Sequence, residues 1–304
     1  MGDSQYDIKK LRDELAVARK SSPAPEWQIY ALYVSGQVKL PPMPKVAMLL
    51  LPVLRSPDVS LRECTDKIEM DRALVSAMLR CANSAAFFRG NQVSNIQDAV
   101  MRIGLREAAC LALSLSTRAL YDERVKATMK FMDHDVDEEW RRAVIVAQAA
   151  RSVATTLRRG SADIAYAAGL FSGVGRSLAG YLLASLAIED PEIAGLPVPE
   201  RRVLAQRVAP VLMGEYLLRE GLPPELSRTC LDVGAPVGDA VDTTTEVVRL
   251  VVGLVASLLG EGNEQAIHVD RALAAARTLQ LDRGGLDTVK KAILESRDAL
   301  DRLL

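Results

Sequence analysis

The sequence predicts an all-α protein, and three observations carry that reading. Apolar residues make up 49% of the 304-residue chain and aromatics only 4%, with Leu and Ala abundant. That balance suits helices packed on helices better than a sandwich, which leans on β-branched and aromatic side chains. Apolar positions recur at three- and four-residue steps behind side chains that cap helix starts. No strand-like segment and no repeat of fixed period breaks the pattern. The apolar fraction also supplies a sizeable core and argues against global disorder.

Taken in order, residues 1–36 read as a helical extension. Ser4 with Asp7 resembles a capping box, and Ile8, Leu11, Leu15 and Ala18 follow as a narrow stripe. Such a stripe fits a two-helix seam, packed on this chain's own core or on a second copy in a homodimer. Ser21-Ser22-Pro23-Ala24-Pro25 ends it, because proline cannot continue a helix. A helix over Glu26–Ser35 stops at Gly36. The rigid Leu40-Pro41-Pro42-Met43-Pro44 then leads into a helix over Lys45–Arg55. Ser60-Leu61-Arg62-Glu63 is a capping box, opening a helix that aligns Leu61, Cys64 and Ile68. A helix over Arg72–Ala82 starts at the cap Asp71, and Asn83 and Ser84 lie where it ends, placed to bond nearby backbone. Ser94-Asn95-Ile96-Gln97 caps the next helix, which ends at Gly104, and Leu105–Tyr121 is apolar enough to be buried on most sides.

The charged stretch Asp122–Glu139 reads as a solvated connection and the best internal boundary. Trp140–Leu157 and Ala162–Leu186 follow as two long Ala-rich helices able to approach closely. Past the proline-rich turn at Pro191–Pro199, helices are expected over Glu200–Arg219, Pro224–Asp232, Thr243–Leu259, Val269–Leu279 and Leu286–Leu303.

Composition excludes several function classes. A net charge of −1, with basic residues in scattered pairs such as Arg158-Arg159 and Arg201-Arg202, argues against a nucleic-acid surface. Cys64, Cys81, Cys110 and Cys230 share no metal-ligand spacing and sit in apolar helical patterns, so they read as buried thiols of a reducing cytoplasm. The N-terminus lacks a secretory apolar stretch, and the two most apolar windows carry Arg176 and Arg249, so no membrane span is expected. There is no dinucleotide loop, no Walker-type GK[ST] and no GxSxG turn, and no cofactor is expected.

Several stretches together resemble the HDOD family of bacterial signal-transduction modules, relatives of the HD phosphohydrolases. They are Leu40-Pro41-Pro42-x-Pro44; Ser56-Pro57-Asp58-Val59-Ser60-Leu61; Ile68-x-x-Asp71-x-x-Leu74; Met78-Leu79-Arg80-x-Ala82-Asn83-Ser84-Ala85; and Val93-Ser94-x-Ile96-x-x-Ala99 running into Ile103-Gly104-Leu105. Weaker similarity continues through Trp140, Ala168-Gly169-Leu170, Gly175 and Gly221-Leu222-Pro223. Arg72 departs from the family, which usually has proline there. The resemblance implies one domain over 37–304, in which an N-terminal helical part over 37–121 packs on a degenerate HD-like helical part over 130–304.

It also implies a lost metal site. HD enzymes hold a divalent metal through a histidine on one helix, a His-Asp pair on the next and a distant aspartate. Those positions fall here on Arg142 and on Ser172-Gly173, and Val233-Gly234 stands where further histidines often occur. A guanidinium is donor-only and glycine has no ligand. Asp133-His134-Asp135 lies in the polar connection and reads as an exposed loop, and His268 is assigned no role. No catalytic or metal residue is therefore expected. The implied role is a cytoplasmic, non-catalytic regulatory module that binds a signalling protein or a small anionic ligand. The rival reading is a divergent metal-dependent phosphohydrolase acting on nucleotides or cyclic dinucleotides. Asp71, Asn83 and Ser84 are candidate contact residues. Arg142 and Arg176 are candidates for gripping an anion in one cleft, against the plainer expectation that Arg142 turns back to Glu138.

Overall fold

The computed structural model describes residues 24–56, 58–259 and 265–303. The Ser4 capping box and the Ile8–Ala18 stripe lie outside the described residues, as does the side chain of His268. Every regular element among the described residues is helical. None of these helices is long and apolar enough to cross a membrane.

The described chain forms two compact units that do not follow sequence order. One comprises residues 42–120 with 294–303; the other comprises 24–41 with 121–293.

In the first unit, α2 (Lys45–Arg55) follows the prolines and buries Val46, Ala47, Leu50, Leu51, Val53 and Leu54. The next three helix starts are capped by Ser60, by Asp71 and, within the stretch Ser94–Gln97, by Asn95. Ser60 Oγ accepts the Glu63 N–H at 3.0 Å to open α3 (Leu61–Ile68). Asp71 opens α4 (Arg72–Ala82), and Asn95 Oδ1 accepts the Asp98 N–H at 2.8 Å to open α5 (Ile96–Ile103). These side chains satisfy donors that the first helical turn leaves without a partner. Gly104, at φ +96°, lets α6 (Leu105–Ser116) start at once, and α6 is buried continuously from Ala108 to Ser114.

The second unit begins with α1 (Ala24–Val34) and resumes at α7 (Glu123–Met129). The charged stretch expected to be a solvated connection is structured instead. On α7 the charged Glu123, Arg124 and Lys126 are exposed, while Val125, Met129 and Met132 are at most 2% exposed. The helices α8 (Val136–Leu157) and α9 (Ala162–Leu186) form the largest packed pair. Glycine and alanine let their backbones meet. A Cβ added at Gly169 would lie 3.1 Å from Ala147 Cα, and one at Gly173 would overlap the Ala143 Cβ and lie 2.9 Å from its Cα. Around this pair lie the short α10 (Pro191–Ala194), then α11 (Val198–Arg219), α12 (Pro224–Val233), α13 (Thr243–Leu259) and α14 (Gln265–Thr278). Helix α15 (Arg283–Leu303) ends the described chain. All four cysteines are buried free thiols.

Candidate functional site

In the unit holding 42–120, Asp71 and Asn83 stand at the two ends of α4, roughly 18 Å apart at the helical rise of about 1.5 Å per residue. Asp71 Oδ1 accepts the Ala73 and Leu74 N–H groups at 2.8 and 3.1 Å. The Asn83 amide pins a loop: Nδ2 donates to Val93 O, and Val93 N–H donates to Oδ1, both at 2.9 Å. Arg102 reinforces it, its Nη2 donating to Asn91 Oδ1 at 2.9 Å and its Nη1 reaching Ala82 O and Asn83 Oδ1 at 3.4 Å. Ser84 Oγ is enclosed and makes no hydrogen bond. The loop so held presents Phe88, half exposed. Phe88 had no signal in sequence beyond being an aromatic in a predicted loop.

In the other unit, α8 and α9 bring Arg142 and Arg176 to the same place, and a carboxylate already stands there. Glu139, 3% exposed, lies with Oε1 3.9 Å from Arg142 Nη1 and Oε2 3.6 Å from Arg176 Nη2. His134 Nδ1 is 3.6 Å from Glu139 Oε1. Arg142 Nη2 also reaches Glu138 Oε1 at 3.5 Å, as the plainer expectation had it. Burial opposes ionisation of Glu139, but the charges of Arg176, His134 and Arg142 together outweigh it and hold its carboxyl below the usual range. The pairs are long: Glu139 Oε2 and Arg176 Nη2 are enclosed and lack hydrogen-bond partners.

This geometry corrects the reading of His134 as an exposed loop residue, since it is partly buried and faces Glu139. Its neighbours do other work. Asp135 Oδ1 accepts the Glu138 N–H to cap α8, and Asp133 pairs with Arg202 at 3.5 Å.

The positions that the resemblance assigns to metal ligands do not suit a metal. Arg142 is engaged by the two glutamates, and Ser172 Oγ donates to Ala168 O at 2.7 Å. Gly173 sits against Ala143 with no room for a Cβ, let alone a carboxylate. Among the described residues, no three His, Cys, Asp or Glu side chains converge as a metal-holding group.

Behind the pair, facing α11 to α14, lies a cavity of about 30 Å³ lined by Ser172, Arg176, Met213, Val233, Val252 and Arg271 among others. Arg271 Nη2 donates to Gly234 O at 2.9 Å. Nearby, Arg249, 5% exposed, donates to Asp232 O and Ala235 O, so two arginines serve the carbonyl end of α12. Sequence reasoning missed Glu139, Arg249 and Arg271 as site residues. For Glu139 a signal existed: it shares a helical face with the apolar Ala143 and Val146, at i+4 and i+7. Arg249 interrupts the run Val247–Val255 in the same way. Arg271 carries no such mark.

Comparison with known proteins gives a consistent picture. Residues 40–190 match the HDOD domain. No protein of curated function matches the chain. Among solved structures, an HDOD domain protein of unknown function from Geobacter sulfurreducens aligns with TM-score 0.63 at 16% identity, over 91% of this chain and 97% of that one. A provisionally named phosphohydrolase from Shewanella amazonensis SB2B aligns with TM-score 0.63 at 18% identity, over 91% and 98%. A provisionally named metal-dependent phosphohydrolase from the same organism aligns with TM-score 0.55 at 23% identity, over 95% and 99%. At such identities the likeness is one of fold.

Proposed function

We propose, for a chain that belongs to the HDOD family through its residues 40–190, a non-catalytic regulatory role exerted by binding a signalling protein or a small anionic ligand. The observation that carries this reading is Gly173 packed against Ala143, where a metal ligand has no space. Two faces serve the binding. In one unit, Asp71 and Asn83 set the ends of α4 and, with Ser84, shape the loop that presents Phe88 to a protein partner. In the other, Arg142 and Arg176 supply positive charge beside the cavity. The provisional signal-transduction name of a structural relative from Marinobacter aquaeolei VT8, aligned with TM-score 0.50, is compatible with this role.

The alternative is metal-dependent phosphohydrolysis, the activity in the names of the two Shewanella amazonensis relatives. Metal analysis of the purified chain and an assay on cyclic dinucleotides separate the two. The expected result is no stoichiometric divalent metal and no turnover. One bound metal per chain, with turnover that a chelator abolishes, overturns the binding role. Capture of partners with wild type and Phe88→Ala then tests the loop face, and equal capture removes that face from the proposal.

A further inference from the structure

We propose that the cavity between α9, α11, α12, α13 and α14 binds a small oxyanion, a carboxylate or phosphoryl group, between Arg176 and Arg271. The inference deepens the non-catalytic binding role and rests on it, but it replaces the partner of Arg176. Arg142, which the sequence placed opposite Arg176, turns to Glu138 and Glu139 and does not line the cavity.

Four observations carry it. Arg176 of α9 and Arg271 of α14 both line the cavity, and no aspartate or glutamate among the described residues lines it. Each guanidinium offers five N–H donors, and few are used here. Arg271 makes one described hydrogen bond, to Gly234 O, and no ion pair among the described residues. Among the described residues Arg176 has one ion pair, to Glu139 at 3.6 Å, and its Nη2 is enclosed without a hydrogen bond.

The surrounding field points the same way. Burial, followed by the charges of Arg249 and Arg207, pushes Arg271 below the ordinary arginine value. Arg249 and Arg207 have carboxylates of their own, Glu246 at 3.8 Å and Glu26 at 3.3 Å. A partly buried arginine with no ion pair among the described residues gains from an anion, and an oxyanion bridging two planar forks has geometry suited to both.

Size and lining restrict the ligand. A cavity of about 30 Å³ holds on the order of two or three water-sized groups, which is a carboxylate or part of a phosphate and not a nucleobase. Met213, Val233 and Val252 offer an apolar wall for a short alkyl tail. Ser172 adds no donor, because its hydroxyl hydrogen already goes to Ala168 O.

The test titrates sodium phosphate and sodium butyrate separately into the full chain, at constant ionic strength with chloride as the balance, and follows binding by calorimetry. Wild type should bind at least one of the two. Phosphate alone identifies a phosphoryl ligand, butyrate alone a carboxylate with a tail, and both the shared oxyanion chemistry. Arg271→Gln should weaken binding at least tenfold, whereas Arg62→Gln, at an exposed arginine of α3, should stay within twofold of wild type. Phenylglyoxal labelling of the wild-type chain guards against a misfolded variant. The bound anion should slow modification of Arg271 at least fivefold while leaving exposed Arg72 unaffected. Binding of neither anion, undiminished binding by a folded Arg271→Gln, or unprotected Arg271 overturns the site. Turnover or a stoichiometric metal would instead overturn the non-catalytic role, so the two failures are distinct.

Discussion

The loop anchor at Asn83 and the cluster at Glu139 use similar materials to different ends. Both combine an arginine with a side chain that accepts hydrogen bonds, and both join segments well apart in sequence. At Asn83 the two main contacts are 2.9 Å and run in both directions between one amide and one peptide group. At Glu139 three positive or ionisable groups stand off at 3.6 to 3.9 Å. Hydrogen bonds of full length fix a single geometry, while charges held slightly too far apart attract without choosing one. The first arrangement is a framework; the second leaves room for a rearrangement when another anion arrives.

Glu139→Ala is the substitution expected to do most damage. It leaves Arg142 and Arg176 facing each other with the central charge gone, at a cost on the order of 3 kcal/mol in denaturant unfolding. The comparison breaks if that variant is as stable as wild type. A pH series sharpens it. Because the Glu139 carboxyl is depressed when folded, its contribution is present above the ordinary carboxylate value of 4.5 and fades as pH falls through the lower folded value. The stability gap between wild type and Glu139→Gln should therefore be widest near neutrality and close progressively below pH 4.5. A gap that is constant down to acid pH would show that packing, not charge, holds the cluster.

Next in size is Asn83→Ala. It leaves the Val93 N–H and C=O without their partners, which should cost about 2 kcal/mol and raise protease sensitivity in the 84–93 loop before the rest of the unit. Uniform sensitivity would show that Arg102 alone suffices to hold the loop. Smallest is Arg142→Gln. Its pair with exposed Glu138 is a surface contact, and the expected loss is about 0.5 kcal/mol or less. A larger loss would mean that Arg142 shares more of the Glu139 charge than its 3.9 Å separation suggests.

The contrast also explains what was legible in the sequence. Caps act over two or three residues, so Ser60 and Asp71 could be assigned by inspection and the third cap located within Ser94–Gln97, and the helices they open begin where expected. The all-helical class followed from many such local signals agreeing. The segment Asp122–Glu139 was misjudged because its charges outnumber its apolar residues. Val125, Met129 and Met132 are nevertheless spaced to face inward, and spacing outweighs the count. For the candidate site, Arg142 and Arg176 were brought together as the shared frame implied. Glu139 between them was not foreseen, since the i+4 rule drew attention to Glu138 and away from its neighbour. Arg271 arrives from a helix far along the chain, and no local spacing ties it to Arg176.

The close approach of α8 and α9 at Gly173 also bears on substitution. Any side chain at position 173 is barred while Ala143 occupies the facing turn, because the two Cβ atoms would claim the same space. Ala143 is already the smallest side chain above glycine, so the only substitution there that frees volume weakens α8 by about 1 kcal/mol. Placing a side chain at 173 thus requires at least two coordinated replacements, the first of them unfavourable. With the helices closed on each other, the contact acts as a ratchet: a side chain at position 173 lies more than one substitution away.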